Sequence, residues 1–595
     1  MNVALRILVF MLTALSVTQE LLAQEQLLPL TFNPGAKHAE APVAVLRSPV
    51  SLPFTDDFSY LSSVPDPALW TDRQVFVNTT FPLNPPSIGV GTFDGLNEFG
   101  HPYDSTSFNL NSIGGADTLT SQPILLGALS PASNVYLSFY FQPGGLGDKP
   151  NDSLFNSFNY GKEFGDSLIL EFKDVNGNWQ HAWAVDGLPG NQGFAADRFY
   201  QEILKVNDAS FFHDEFQFRF RNIASRIGQY DCWNIDYVKL GAGRTPGDTI
   251  LSDVAIQYLP SSILKNYERM PWNQFENFQS QEKAASIILT VQNNFNIGKN
   301  TSRQMTAEET TTGTFIFDSG LSSENFDAGE SRVLSFSNFN IPDFSGDSIV
   351  IATSFAIGAT GGSGVASNDS VTRFQIFHNE MSYDDGTPEA VYRLLGSPAS
   401  IALRFHVNTP DTLRAVKIMF AHSEVNMATS LFNLLVWNSV HQGSNNADTL
   451  LRDEFLLPDF SDERNGFIYY RLSRPVPVTD TFYIGWFQVS LQTDLKIDVG
   501  FDKNDTASQH LFYNITGEWI PSELPGAIMM RPVLGKEIPF QVGVSPVRSA
   551  AETVVFPNPA TDVVYVRGTT PLKLEVTDYS GKKLITSQRQ TFVDV

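Results

Sequence analysis

Any chemistry in this 595-residue chain has to start from nine histidines, one cysteine and 64 acidic side chains. The histidines (His38, His101, His181, His213, His378, His406, His422, His441 and His510) form no His-Glu-x-x-His pair and no i,i+4 couple. No zincin-type metal site is therefore expected. No Gly-x-Ser-x-Gly elbow offers an activated serine. Cys232 sits beside Trp233 in a strand-like run, where a small buried thiol is a simpler reading than a nucleophile. One cysteine also excludes an internal disulfide framework and a cysteine-based zinc cluster. The glycines of ATGGSGVASNDS (359–370) suggest a phosphate loop, but the stretch lacks the Lys-Ser/Thr pair and precedes a strand. It reads as a flexible hairpin loop. A glycosidase needs only two well-placed carboxylates, and nothing in the sequence singles out a pair. No catalytic and no cofactor-binding residue is assigned.

The elements that would position such groups are strands. Aromatic residues reach 12%, with 47 Phe, while 42 Gly and 34 Pro punctuate the chain and only 17% of residues are charged. That mixture suits short strands joined by turns. In VYLSFYFQ, Val135, Leu137, Phe139 and Phe141 alternate with polar or amphipathic neighbours. In FQFRFRN, Phe216, Phe218 and Phe220 share one face, with Gln217, Arg219 and Arg221 opposite. Such alternation marks half-buried antiparallel strands. Helical periodicity is weak; its best stretch, 261–277, is limited by Pro271. A net charge of −25 disfavours nucleic acid and anionic lipid and favours cations such as calcium. The expected class is all-β, a multidomain chain of antiparallel β-sandwiches.

The N-terminus sets the compartment. Arg6, the apolar run Ile7–Val17 and the small Ala23 before Gln24 form the three parts of a secretory signal peptide. Cleavage is expected between Ala23 and Gln24, giving a signal peptide over 1–23 and a leader over 24–44. The apolar run is too short to span a membrane comfortably, and no later segment has 18 consecutive apolar residues. The mature chain is expected to be exported, with no transmembrane segment.

Turn-rich stretches then divide the chain. GAGRTPGD (241–248), the region Phe377–Ser382 and VGVSPVRSAAE (542–552) each follow a completed set of strands. The first unit, 45–245, opens with LPFTDDFS, places Trp70 soon after and closes with QYDCWNIDYVKL. With Trp233, Ile235, Asp236 and Val238 in its last strand, it resembles the MAM-like and lectin-like jelly rolls, though without the paired cysteines of animal MAM domains. The second, 246–380, resembles bacterial immunoglobulin-like spacers, through ASIILTVQNNFNIGKN and FDAGESRVLSFSNFNI. The third, 381–541, carries YDDGTPEAVY, TFYIGWFQ and LKIDVGFDKND, and resembles a second jelly roll frequent in secreted Bacteroidetes proteins. Its acidic residues again fall near the first and late strands: Asp384 and Asp385, then Asp498 and Asp502. In a jelly roll the first and last strands can lie close in one sheet. Asp57 and Asp236 are thus candidate calcium ligands, helped by main-chain carbonyls; the alternative is a surface carboxylate and a strand-end turn residue.

After the linker 542–552, VVFPNPATDVVYV is followed by LKLEVTDYSGKKLITS. Pro557-Asn558-Pro559 enforces a rigid turn before the next strand, because prolines cannot supply ladder N–H groups. These residues, with Thr561, Asp562, Asp578, Ser580 and Gly581, resemble the type A C-terminal sorting domain of the type IX secretion system. The resemblance implies a surface-attached protein handled by outer-membrane sorting machinery. It also implies about two strands beyond Val595, so 553–595 is expected to be a truncated, partial terminal sandwich. Asp-Ser or Asp-Thr before a small or aliphatic residue occurs at Thr118, Ser153, Ser167, Thr249, Ser348, Ser370, Thr412, Thr449 and Thr506. The pattern resembles the O-glycosylation acceptors of exported Bacteroidetes proteins, although Asp-Ser and Asp-Thr also end turns before strands. The expected function is non-catalytic binding or adhesion, with jelly-roll loops recognising a glycan or partner protein. The alternative is a secreted hydrolase built on scattered carboxylates.

Overall fold

The computed structural model describes residues 24–33, 49–106, 112–150, 165–187, 194–396, 398–423, 427–488 and 496–536, together with the main chain of five short strands after residue 553. Strands dominate, and they pair antiparallel except for Arg269–Pro271, which runs parallel to Ser370–His378. The weak helical stretch yields one single turn, Trp272–Phe275, starting just after Pro271, and a second, Gln279–Glu282, follows beyond it.

The first module is a sandwich of two sheets. One orders Ile113–Thr120, Phe218–Ser225, Ser167–Lys173 and Trp179–Asp186; the other centres on Trp233–Gly241, flanked by Val90–Phe93 and Tyr136–Pro143. Alternation explains how the sheets meet. Phe216, Phe218 and Phe220 are fully buried in the shared core with Phe139, Phe141 and Trp233. Burying each such ring contributes about 2–3 kcal/mol. On the opposite face Arg219 and Arg221 stay half-buried and both bind the Glu171 carboxylate, at 2.6 and 3.2 Å. The strand Tyr136–Pro143 departs from its expected half-burial. Gln142 on the far face is completely buried, because its amide bonds the Leu83 carbonyl (2.6 Å) and Asn234 (3.0 Å) under a covering loop.

The second module sets Val254–Ile256, Ser286–Asn293 and Ser331–Ser337 against a six-stranded sheet that includes Lys299–Glu309, Ile349–Ala359 and Ser370–His378. The third sets a seven-stranded sheet, built around the long strands Ala399–Ile418 and Ile468–Gln488, against four strands: Glu25–Leu28, Ala390–Leu394, Asp498–Asp502 and Ala527–Ile528. The strand Glu25–Leu28 comes from the far N-terminus. Beyond it, Leu30 is fully buried with Val391, Met419, Ala421 and Met529, while its carbonyl accepts from Gln229 N of the first module. The described residues from Gln24 to Lys536 thus form one compact unit, with a continuous apolar core through the second and third modules. The first linker is pinned as well: Arg244 pairs with Asp248 (2.6 Å) and donates to Ser138 Oγ (2.8 Å).

The second unit starts at Glu537. Its strands Val554–Phe556, Val563–Arg567 and Phe592–Asp594 form one sheet, and Leu574–Thr577 pairs with Lys583–Ser587. Pro557, Asn558, Pro559, Thr561, Asp562, Asp578, Ser580 and Gly581 lie outside the described residues.

Candidate functional sites

The seven-stranded sheet buries apolar side chains on its inner face and, over one patch, on its outer face as well. Its inner positions, among them Phe405, Phe482, Ile484 and Trp486, fill the core. The outer positions alternate with them, and the register aligns them across strands. Leu435 stands opposite Arg452 and Gly485, Trp437 opposite Tyr483 and Thr449, and Ser400 opposite Phe487 and Asn514. Gly485 is a glycine because the neighbouring strand passes so close that a Cβ would lie 1.8 Å from the Ile401 carbonyl oxygen. Between these rows lies a groove of about 390 Å³. Trp437 and Trp519 form its floor, edge to face at 5.6 Å. Loop 441–446 clasps Trp519 through two main-chain bonds, Gly443 N to Trp519 O (2.9 Å) and Trp519 N to Ser444 O (3.0 Å). This clasp sets Asn445 on the rim, where it accepts from Asn514 Nδ2 at 3.0 Å. Phe487, Ser400, Thr449 and Arg452 also line the groove. Ring edges for apolar C–H surfaces, beside amides and hydroxyls for polar groups, are what an oriented saccharide requires.

A second concavity is polar. Glu268, Arg373, Asp385, Thr387, Asn504, Asp505, Tyr258 and Phe374 line a cleft of about 500 Å³, and Glu268 and Asp505 also border an adjoining pocket of about 240 Å³. One member of each acidic pair seen in the sequence, Asp385 and Asp502, comes together here. Asp385 N donates to Asp502 Oδ2 (2.8 Å), and the main chain of Asn504 donates to Asp502 Oδ1 (2.7 Å). Glu389, buried nearby, accepts from Lys503 N (2.9 Å) and Thr387 Oγ1 (3.3 Å). Burial, then the charge on Asp385, pushes Glu389 up to about 8. Burial, then Glu268, pushes Asp505 up to about 7. Asp502, Asp385 and Glu268 are raised by the same loss of solvation. Two partners of the motif are structural instead. Asp384 is clasped by Arg531, which also reaches Glu380 at 3.2 Å, and Asp498 forms a two-pronged pair with Arg393, both contacts at 2.7 Å.

Asp57 and Asp236 fall in a third cluster, where the first module meets the second. The strand Phe54–Asp56 pairs with Trp233–Gly241, bringing the two buried carboxylates into one neighbourhood. Burial and then the Asp57 charge hold Asp236 well above the carboxylate range. Protein donors take both groups: Asp57 accepts from Ser59 Oγ (2.8 Å), Ser367 Oγ (3.2 Å) and Asn368 Nδ2 (2.9 Å), and Asp236 from Tyr237 N (2.6 Å). Among the described residues no three His, Cys, Asp or Glu side chains are placed to share a metal ion. The loop 359–370 is correspondingly not a free hairpin. Asn368 is fully buried and donates to Asp253 Oδ2 at 2.8 Å, while Gly364, at φ +115°, lies where a Cβ would meet Ser252 O at 2.2 Å.

Gln24 gives its carbonyl to Leu395 N (2.8 Å), whereas Ala23 is outside the described residues. Of the hydroxyls in the Asp-Ser/Thr pattern, Thr249, Ser348, Ser370, Thr449 and Thr506 are exposed. Thr118 and Thr412 are half-buried, Ser167 is fully buried, and Ser153 is outside the described residues. Sequence reading missed the groove residues Trp437, Trp519, Phe487, Arg452, Asn445 and Asn514. A signal was present in FNLLVWNSV and TFYIGWFQ, where both alternating faces are apolar and one of them must be covered or used.

No protein-family model matches the chain, and no curated protein matches it. Among solved structures, it is similar to the cysteine protease and lectin-like domains of Cwp84, a surface layer associated protein of Clostridium difficile. That match has 7% identity and a TM-score of 0.20, over 40% of this chain and 59% of that one. It is also similar to the N-terminal CBM22-1-CBM22-2 tandem domain of Paenibacillus barcinonensis Xyn10C, at 9% identity and TM-score 0.19, over 80% and 99%. A Bacteroides uniformis β-glucuronidase matches at 11% and 0.18, over 46% and 27%. At these scores none of them bears on what this chain does.

Proposed function

We propose that the protein is an exported, surface-displayed binding protein that recognises a glycan in the groove of its third module without turning it over. The single observation that carries this reading is the groove itself: an aromatic floor bordered by two amides, two hydroxyls and a guanidinium, held by strand register and, for Asn445, by the loop that clasps Trp519. The N-terminal signal and the Pro557-Asn558-Pro559 motif support export by the type IX machinery. Glycan-array binding followed by calorimetry tests the reading. Phe487→Ala, which removes a half-exposed ring, should abolish binding, and ligand recovered after long incubation should be uncleaved. A Phe487→Ala protein that binds its glycan unchanged would dismiss the groove.

A second reading, a hydrolase, is favoured by the cleft of Glu268 and Asp505, because burial raises both carboxyls, Asp505 to about 7, and a raised carboxyl suits general acid catalysis. It requires turnover of a polysaccharide or peptide that is lost in both Glu268→Gln and Asp505→Asn.

A further inference from the structure

The groove differs from the rest of the molecule in charge. The chain as a whole carries −25, yet among the described residues lining the groove Arg452 alone is ionisable. Strand register places Arg452 opposite Leu435, and its guanidinium lies 5.4 Å from the Phe487 ring centroid. Among the described residues its ionic partner is Glu454, at 3.0 Å, and the two side chains are 48% and 49% exposed. A pair that open to water stabilises little, so a ligand can take over the guanidinium at small cost. The rim on the other side of the floor carries the neutral amides Asn445 and Asn514. A planar, two-pronged cation on one wall, with neutral hydrogen-bonding groups on the other, matches a sugar ring bearing a carboxylate.

We infer that the groove selects an acidic saccharide, with a uronate carboxylate on Arg452 and the ring hydroxyls on the Asn445–Asn514 rim. This inference rests on the glycan reading of the groove and names the class of ligand within it. Phe487 then has two tasks, packing against the sugar face and holding the guanidinium from below. The acidic surface elsewhere repels the same polymer, which confines recognition to this site and makes it sensitive to salt.

The experiment compares a panel of oligouronides (galacturonate, glucuronate, mannuronate and guluronate) with the same oligomers after reduction of their carboxylates to alcohols, and with a sulfated oligosaccharide. Calorimetry on the full chain should show at least one uronide binding on the order of ten- to a hundredfold more tightly than its reduced form. Arg452→Gln should erase that preference, and Arg452→Lys should keep only part of it. Both changes are at an exposed position, and the unchanged melting temperature expected of them shows that folding is not the cause. Equal binding of uronide and reduced oligomer overturns the acidic-ligand inference and leaves the glycan reading standing. Tighter binding of the sulfated oligosaccharide overturns the carboxylate in favour of sulfate. Binding of no saccharide, neutral or acidic, overturns both.

Discussion

The buried carboxylates make the 24–536 unit more stable in mild acid than in mild alkali, the reverse of a protein held by ordinary salt bridges. Glu389 shows why. Its carboxyl, 4% exposed, ionises near 8 in the folded chain against 4.5 for a solvated glutamate. Between those values the folded state keeps a proton that the unfolded state has lost. Stability therefore falls as pH rises, by about 1.4 kcal/mol per pH unit for each such group. From pH 6 to pH 8, Glu389 alone removes about 2 kcal/mol, because the slope fades as the folded carboxyl itself ionises. Asp505 and Asp56, each held up to about 7, act in the same direction. Each removes about 1.4 kcal/mol more between pH 6 and 8. The half-buried His422 and His510, both pushed down to about 4 by loss of solvation, oppose this. Each adds about 0.8 kcal/mol between pH 6 and 8, as the unfolded imidazoles lose a proton that the folded ones do not hold. The net loss is about 3 kcal/mol. Since a unit of some 500 residues melts with an entropy near 1 kcal/mol/K, it corresponds to roughly 3 °C. Calorimetric melts at pH 5, 6, 7 and 8, at fixed ionic strength, read this directly. Glu389→Gln keeps the shape of the protonated side chain and cannot ionise. It should match the parent near pH 5, exceed it at pH 8, and lower its slope by more than half. A parent protein that melts higher at pH 8 than at pH 6, or a Gln variant that tracks the parent throughout, would refute the reasoning.

Three further outcomes are expected. Arg531→Ala strips the buried partner from Asp384 and Glu380; urea unfolding should show a loss of about 3–5 kcal/mol. Leu30→Ala, at a fully buried position where the N-terminal segment packs on Val391 and Met529, should cost about 2–5 kcal/mol and speed proteolysis of the segment around residue 30. The calcium reading of Asp57 and Asp236 predicts a melting temperature that climbs with calcium and stops climbing in Asp236→Asn; superimposable melts in calcium and EGTA dismiss it.

How much could be read from the sequence depended on whether a signal was local. Period-2 alternation is local, so the strand through Phe216, Phe218 and Phe220 and its paired arginines were legible before any fold was known. What covers a strand is not local. Gln142 reads as a solvent-facing residue, and only the loop carrying Leu83, 59 positions away, shows that it is sealed. The same limit hid the docking of Asn368 against Asp57, 311 positions apart, and made a glycine-rich loop look free. It also obscured the groove, whose residues lie on six strands or their loops and meet only through register. Yet the strands announce that something lies on their outer face. In TFYIGWFQ, Phe482, Ile484 and Trp486 satisfy the core, which leaves Tyr483 and Phe487 with no core reason to be aromatic. A sheet that spends rings on both faces either covers the second face or presents it to a ligand. Here it does both, burying Tyr483 beside Phe512 and leaving Phe487 half open at the groove. The groove end of that face is therefore where mutations should alter recognition before they alter folding.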